Sequence, residues 1–70
     1  MFKQGNRFRH YKGGEYEIIS LTAIHTETKE VMVVYRDLSD PTKEWVRPYS
    51  MFFQLVDVGG GKVARFTIID

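Results

Sequence analysis

Few side chains in this sequence have the types and spacing that catalysis or metal binding requires. There are two histidines, His10 and His25, and no cysteine, whereas a zinc site needs three or four ligands at characteristic spacing. The three serines of the sequence lie outside the strand-turn-helix context of a nucleophile elbow. We therefore expect no metal ion, no cofactor and no catalysis. A small enzyme or enzyme accessory domain is kept as a third possible function, after binding of a protein or peptide and binding of RNA.

Cations and aromatic rings alternate in the segment 7–12. Residues 1–14 carry four basic and no acidic residues, although the net charge of the whole chain is only +1. Interleaved cations and rings suit phosphate contact and base stacking, which makes an RNA-binding β-barrel the main alternative function. The competing interpretation is a basic edge strand that prevents aggregation and needs no ligand. The candidate nucleic-acid contacts are Arg7, Arg9, His10 and Lys12.

A second cluster combines tyrosine, tryptophan and arginine, the residue types that dominate protein-binding surfaces. Trp45 and Arg47 lie two residues apart, so they share one face of a strand. We expect Arg36, from the neighbouring strand, to join them, so that two guanidinium groups flank the ring and offer donors to a carboxylate or carbonyl. The competing interpretation buries the single tryptophan in the core. The candidate partner-binding residues are Tyr11, Arg36, Trp45, Arg47 and Tyr49.

Turn residues at short intervals separate runs rich in Val, Ile, Tyr, Phe and Thr, a pattern typical of short antiparallel strands. No segment keeps a helical period over three turns. Pro48 can begin one short helical turn near residues 48–53. Asp40-Pro41 favours a type I turn, and the glycines at 59–61 favour a hairpin turn. The predicted strands span residues 7–12, 15–26, 30–36, 43–47, 53–58 and 62–69.

Two of these strands have particular features. The apolar pattern of the second strand changes phase at Ile18-Ile19, which predicts a β-bulge or sharp bend. The third strand, with the unbroken apolar run Val31–Tyr35, suits a central strand buried on both faces. In the first strand, Phe8 is expected to point inward.

The architecture that fits these elements is all-β: a small SH3-like barrel of five to six short antiparallel strands with one short helical turn. At 70 residues and 14% aromatic content, the chain is one domain over residues 1–70, with a thin core that depends on its rings. Closure into a barrel would remove the exposed sheet edges that a small open sheet leaves.

Several short motifs, in order along residues 8–66, resemble the bacterial domain-of-unknown-function family numbered 1653. The resemblance implies a small stand-alone SH3-like β domain without an established activity. The motifs that carry it are Arg9–Glu17, His25–Thr28, Val33–Arg36, Trp45–Pro48 and Met51-Phe52.

The sequence thus favours a non-catalytic binding or adaptor module whose partner is a protein or peptide. So small a barrel leaves little room for a large internal ligand cavity. Residues 1–7 lack the apolar segment of a secretory signal, and no apolar run reaches the roughly 20 residues needed to span a bilayer. We therefore expect a cytoplasmic location and no membrane partner.

Overall fold

The computed structural model describes residues 2–69. Within that range the chain forms seven strands and one short helix. In chain order these are β1 (Arg7–His10), β2 (Glu15–Ile24), β3 (Val31–Asp37), β4 (Glu44–Pro48), α1 (Tyr49–Phe52), β5 (Leu55–Val58), β6 (Gly61–Ala64) and β7 (Phe66–Ile68).

The strands form one five-stranded antiparallel sheet, in the order β4-β3-β2-β1-β7, and a separate β5-β6 hairpin. The all-β prediction is confirmed. There is one more strand than the upper count expected, because the segment predicted as one strand over 62–69 divides at Arg65. Its first part pairs with β5, and its second part leaves to pair with β1. The expected single domain spans 1–70, of which residues 1 and 70 lie outside the described range.

Local sequence signals set the connections between these elements. The Lys43 N–H donates to the Asp40 carbonyl at 2.9 Å and closes the predicted turn at Pro41. Gly59 and Gly60, with φ of 52° and 87°, form the two-residue loop that joins Val58 to Gly61, because a tight hairpin turn requires positive φ at both central positions. α1 begins directly after Pro48, as predicted.

The second strand bends where its apolar pattern changes phase. The pairing of β2 with β3 shifts register between Ile18 and Ser20, which confirms the predicted irregularity, and shifts again before Ala23. An extra residue in one strand increases local twist, so these shifts curl the sheet around its own inner face.

The inner face of the curled sheet carries an aromatic core. Phe8 and Phe52 are 0% and 1% exposed, and their ring centroids lie 5.0 Å apart in an edge-to-face arrangement. Such pairs add about 0.5–1.5 kcal/mol to the burial of their area. The buried core residues are Phe8, Ile18, Val33, Tyr35, Phe52 and Phe66.

The prediction that β3 is buried on both faces is wrong. Val33 and Tyr35 are buried on its inner face, whereas Met32 and Val34 are only half-buried. The reason is that the sheet packs around its own inner face, and its outer face carries charged side chains from β1, β2 and β3. The unbroken apolar run therefore indicates a strand in the interior of the sheet, but it does not show that both faces of that strand are covered.

Candidate functional site

A pocket of about 200 Å³ opens on the inner face of the sheet, between its two edge strands. All five strands of the sheet contribute to its wall. The lining residues are His10, Tyr16, Tyr35, Trp45, Arg47 and Phe66. Rings therefore supply most of the wall, and its polar side-chain groups are those of Arg47 and His10 together with the tyrosine hydroxyls and the indole N–H.

The register of β4 directs Trp45 and Arg47 into this pocket. Trp45 is the partner of Tyr35 in the ladder, and Arg47 is the partner of Val33; paired residues in an antiparallel ladder project to the same face. Because β4 is an edge strand, Trp45 is still 46% exposed. Its ring is therefore half-exposed, between a buried core position and a fully exposed surface position.

Arg47 joins the two edges of the sheet across the pocket. Its guanidinium carbon lies 5.9 Å from the ring centroid of Phe66 in β7, within the range of a cation-π contact. The Nε atom of Arg47 is buried and has no hydrogen-bond partner among residues 2–69, and the same holds for the Nε atom of Arg65, next to β7. Two guanidinium donors therefore stand buried and unsatisfied in this part of the molecule.

His10 lies on the β1 side of the pocket. Its ring centroid is 5.0 Å from that of Phe66, and its Nδ1 accepts a hydrogen bond from the Lys12 N–H at 3.1 Å. Burial lowers the pKa of His10 below its usual value of 6.5, and the positive charges of Arg47, Arg65 and Lys12 lower it further. The lowered pKa favours the neutral imidazole at pH 7, and three positive charges lie near it.

Tyr16 also lines the pocket, and Asp37 is its ladder partner in β3. Burial raises the pKa of the Tyr16 hydroxyl, and the Asp37 carboxylate raises it further. Asp37 accepts hydrogen bonds from the N–H and the hydroxyl of Ser39 at 2.9 and 2.7 Å, which lower the pKa of this carboxyl. The Asp37 carboxylate thus already has hydrogen-bond partners in the turn that follows β3.

The expected grouping of Arg36 with Trp45 and Arg47 is wrong. Arg36 is the ladder partner of Glu44, one position out of step with Trp45, so it projects to the outer face. There its Nη2 atom forms an ion pair with Glu17 at 3.2 Å. The length of the β3–β4 connection sets this register, and a shift of one residue would exchange the faces.

The two tyrosines among the candidate partner-binding residues lie in different places. Tyr11 follows β1, and its ring centroid lies 4.7 Å from that of His10, so it is adjacent to the pocket. Tyr49 is on α1, where its ring contacts Phe53 at 4.7 Å and is 46% exposed. Tyr49 is absent from the pocket lining.

The four candidate nucleic-acid contacts do not share one surface. Arg7 and Arg9 project outward from β1, opposite Glu17 and Glu15 in the ladder, and Arg9 forms an ion pair with Glu15 at 2.8 Å. His10 projects inward instead. Lys12, in the β1–β2 turn, places its ammonium 5.7 Å from the ring centroid of Tyr11. The outer face therefore carries both signs of charge.

Reasoning from the sequence missed two lining residues, Tyr16 and Phe66, and the neighbouring Arg65 as parts of one site. The alternation of β1 could have placed His10 on the inner side with Phe8. Phe66 reaches the site only because β7 pairs with β1, a contact across almost the whole chain. No local pattern indicates that pairing.

Within residues 2–69, no group of three or more His, Asp or Glu side chains is arranged to hold a metal ion. No helix in that range is long and apolar enough to cross a membrane.

The surroundings of His10 predict a pH dependence of stability. Because its pKa is lower in the folded chain than the unfolded value of 6.5, the unfolded chain takes up a proton first as the pH falls. The contribution of neutral His10 is complete above pH 6.5 and is lost progressively below it. The lowered pKa values of Asp37 and Asp40 act only below 3.8, outside this window.

We therefore expect the melting temperature of the wild type to fall more between pH 7.5 and pH 5 than that of His10→Gln. Thermal unfolding followed by circular dichroism at several pH values measures both slopes. The absolute stability of the variant is not the readout, since the substitution also removes ring contacts. Equal slopes of melting temperature against pH for the two proteins would contradict the assignment of this pH dependence to His10.

Residues 6–68 match the model of a family described as "Protein of unknown function (DUF1653)". The resemblance of the short motifs to this family is therefore confirmed. No curated protein and no solved structure matches the chain. The SH3-like description of the fold stays a prediction.

Proposed function

The chain belongs to the DUF1653 family of unknown function, and we propose that it is a non-catalytic binding module for an extended segment of a partner protein. The segment pairs with the edge strand β4 and places one side chain in the pocket. The observation that carries this proposal is the position of the pocket, which opens beside a half-exposed tryptophan on an edge strand. Recognition of this kind combines main-chain pairing for affinity with a side-chain pocket for selectivity.

The backbone of β4 is suited to pairing. Within residues 2–69, β4 is hydrogen-bonded to β3 alone. The Asp37 N–H donates to the Lys43 carbonyl at 3.1 Å, and pairs alternate along an antiparallel ladder. The backbone groups of Glu44 and Val46 therefore face away from β3. Pro48, which has no N–H to offer, ends this edge.

The dimensions of the pocket favour one side chain as its occupant. Its volume of about 200 Å³ lies below the ~300–1,000 Å³ of typical small-molecule and cofactor sites. Trp45, Arg47 and the tyrosines that line it belong to the residue types enriched in binding hot spots. A partner residue seated there would be covered by rings on several sides.

The alternatives have less support. For RNA, the four candidate contacts do not form one cationic surface of the kind that phosphates need, because Arg9 is paired with Glu15 and His10 lies on the other face. For the enzyme or enzyme accessory domain, the described hydrogen bonds of Ser20 and Ser39 go to Thr22 and Asp37, not to a histidine. The cytoplasmic location stays a prediction.

The test is a selection of random peptides displayed on phage against the immobilised protein. We expect enrichment of peptides that bind the wild type and change the fluorescence of Trp45, the single tryptophan, since its ring lines the pocket. Trp45→Ala, assayed by calorimetry with the same peptides, should weaken their binding at least about tenfold, or ~1.4 kcal/mol.

Val46→Ala is the matched control. Val46 is the next residue on the same strand, is 62% exposed and faces the other side, so its truncation should leave peptide binding unchanged. Two results would overturn the proposal: no enrichment over a bare surface, or selected peptides that bind Trp45→Ala as tightly as the wild type. RNA is favoured instead if oligouridine binds, weakens with salt and depends on Arg7, Arg9 and Lys12.

A further inference from the structure

We infer that the pocket selects an acidic residue of the bound segment and holds its side-chain carboxylate with the guanidinium group of Arg47. The inference rests on the proposed peptide binding at β4 and specifies the chemistry of the residue that enters the pocket. Carboxylate recognition by arginine uses charge-assisted hydrogen bonds, often two in parallel, which also fix the geometry of the ligand.

The first support is the state of the two arginines. The Nε–H groups of Arg47 and Arg65 are buried without a hydrogen-bond partner. A buried donor left unsatisfied destabilises the folded chain, and more so when it belongs to a charged group. Neither arginine forms an ion pair with any of residues 2–69, whereas Arg9 and Arg36 on the outer face do. Arg47 in the pocket wall and Arg65 in the bend before β7 thus lack the anionic partner that Arg9 and Arg36 have.

The second support is the sign of the charge around the pocket. Arg47, Arg65 and Lys12 all lower the pKa of His10, which places three positive charges near this imidazole. None of the lining residues is acidic. Asp37, the ladder partner of the lining residue Tyr16, already accepts two hydrogen bonds from Ser39. A carboxylate that enters beside His10 therefore meets a local excess of positive charge.

The third support is the geometry of the proposed complex. Side chains of a strand added beside β4 alternate between the two faces, so every second one projects over the inner face next to Trp45 and Arg47. An internal acidic side chain can reach the pocket in this way while the chain continues past it. The apolar stem of that side chain would lie against the aromatic wall. We therefore assign the carboxylate to an internal Asp or Glu rather than to a chain terminus.

Three small probes of similar size test the assignment directly. N-acetyl-glutamate N-methylamide presents a side-chain carboxylate, N-acetyl-glutamine N-methylamide presents the neutral isostere, and N-acetyl-glutamine presents only an α-carboxylate. Binding is followed by two-dimensional NMR of the His10 ring and by fluorescence of Trp45. We expect the first probe to shift both signals saturably and to bind at least about tenfold more tightly than the other two.

Variants of the arginines separate charge from packing. Arg47→Met keeps an apolar stem over Phe66 and removes the charge, and we expect it to lose about tenfold or more in affinity for the glutamate probe. Arg47→Lys keeps the charge and should retain part of the binding. Arg36→Met, on the outer face of the neighbouring strand, is the matched control and should bind as the wild type does.

Several results would overturn the inference. These are equal binding of the glutamate and glutamine amides, no binding of the glutamate amide, tighter binding of the α-carboxylate probe, or equal losses in Arg47→Met and Arg36→Met. The proposed function fails by a different result, namely no enrichment of peptides over a bare surface. If phage selection instead yields peptides that depend on Trp45 but contain no acidic residue, peptide binding stands and the acidic preference is wrong.

Discussion

Replacing Val33 with aspartate is expected to leave the chain unfolded. Val33 is 0% exposed at the centre of β3, and an aspartate there would bury a charge without a partner. The effective penalty is several kcal/mol per ion, comparable to the ~3–5 kcal/mol that the core of so small a domain supplies. Circular dichroism should show no cooperative thermal transition, and amide NMR signals should collapse into the narrow range of an unfolded chain.

Val31→Asp is the matched control for this substitution. Val31 begins the same strand but is 43% exposed, so its charge stays in water and the cost should stay within about 0.5 kcal/mol. A Val33→Asp variant that unfolds cooperatively near the wild-type melting temperature would show that the inner face of β3 is misassigned.

The second large effect is expected at the centre of the aromatic core. Phe8→Ala should lower the free energy of unfolding by about 3–5 kcal/mol, because it removes a large buried ring and leaves a cavity. The Phe8 ring lies 4.8 Å from Phe66 and 5.0 Å from Phe52, so it joins β1 to β7 and to α1. Urea unfolding measured by fluorescence and circular dichroism gives the value.

Two variants calibrate this result. Phe53 also contacts Phe52, at 5.1 Å, but is 38% exposed, so Phe53→Ala should cost less than half as much as Phe8→Ala. Phe8→Leu keeps an apolar side chain and should retain a measurable transition even if Phe8→Ala does not fold. Equal costs for Phe8→Ala and Phe53→Ala would mean that Phe8 is not the centre of the core.

The arginines on the two faces of the sheet differ in whether they have an anionic partner, and this difference supports the proposed site. On the outer face, Arg9 and Arg36 pair with glutamates at 2.8 and 3.2 Å. Exposed pairs of this kind contribute about 0–1 kcal/mol each. On the inner side, Arg47 stays without an anion while its guanidinium covers Phe66. A binding role for Arg47 and a packing role for its stem are therefore compatible.

Much of the fold follows from local sequence. Alternation with a period of two placed Phe8 inward and put Trp45 and Arg47 on one face. The phase change at Ile18 marked the bend of β2. Proline and glycine chemistry determined the Asp40 turn, the start of α1 and the glycine hairpin. These features depend on residues only a few positions apart, and the conformational limits of such residues operate in any fold.

The tertiary structure decided which faces meet. Alternation shows that Trp45 and Arg47 share a face, but only the β3–β4 register shows that this face also carries Tyr35 and excludes Arg36. Phe66 joins the site through the pairing of β7 with β1, which the sequence pattern assigned instead to the continuing hairpin. A period of two gives each strand two equivalent faces. The choice between them comes from register and from burial against distant strands, which no single segment encodes.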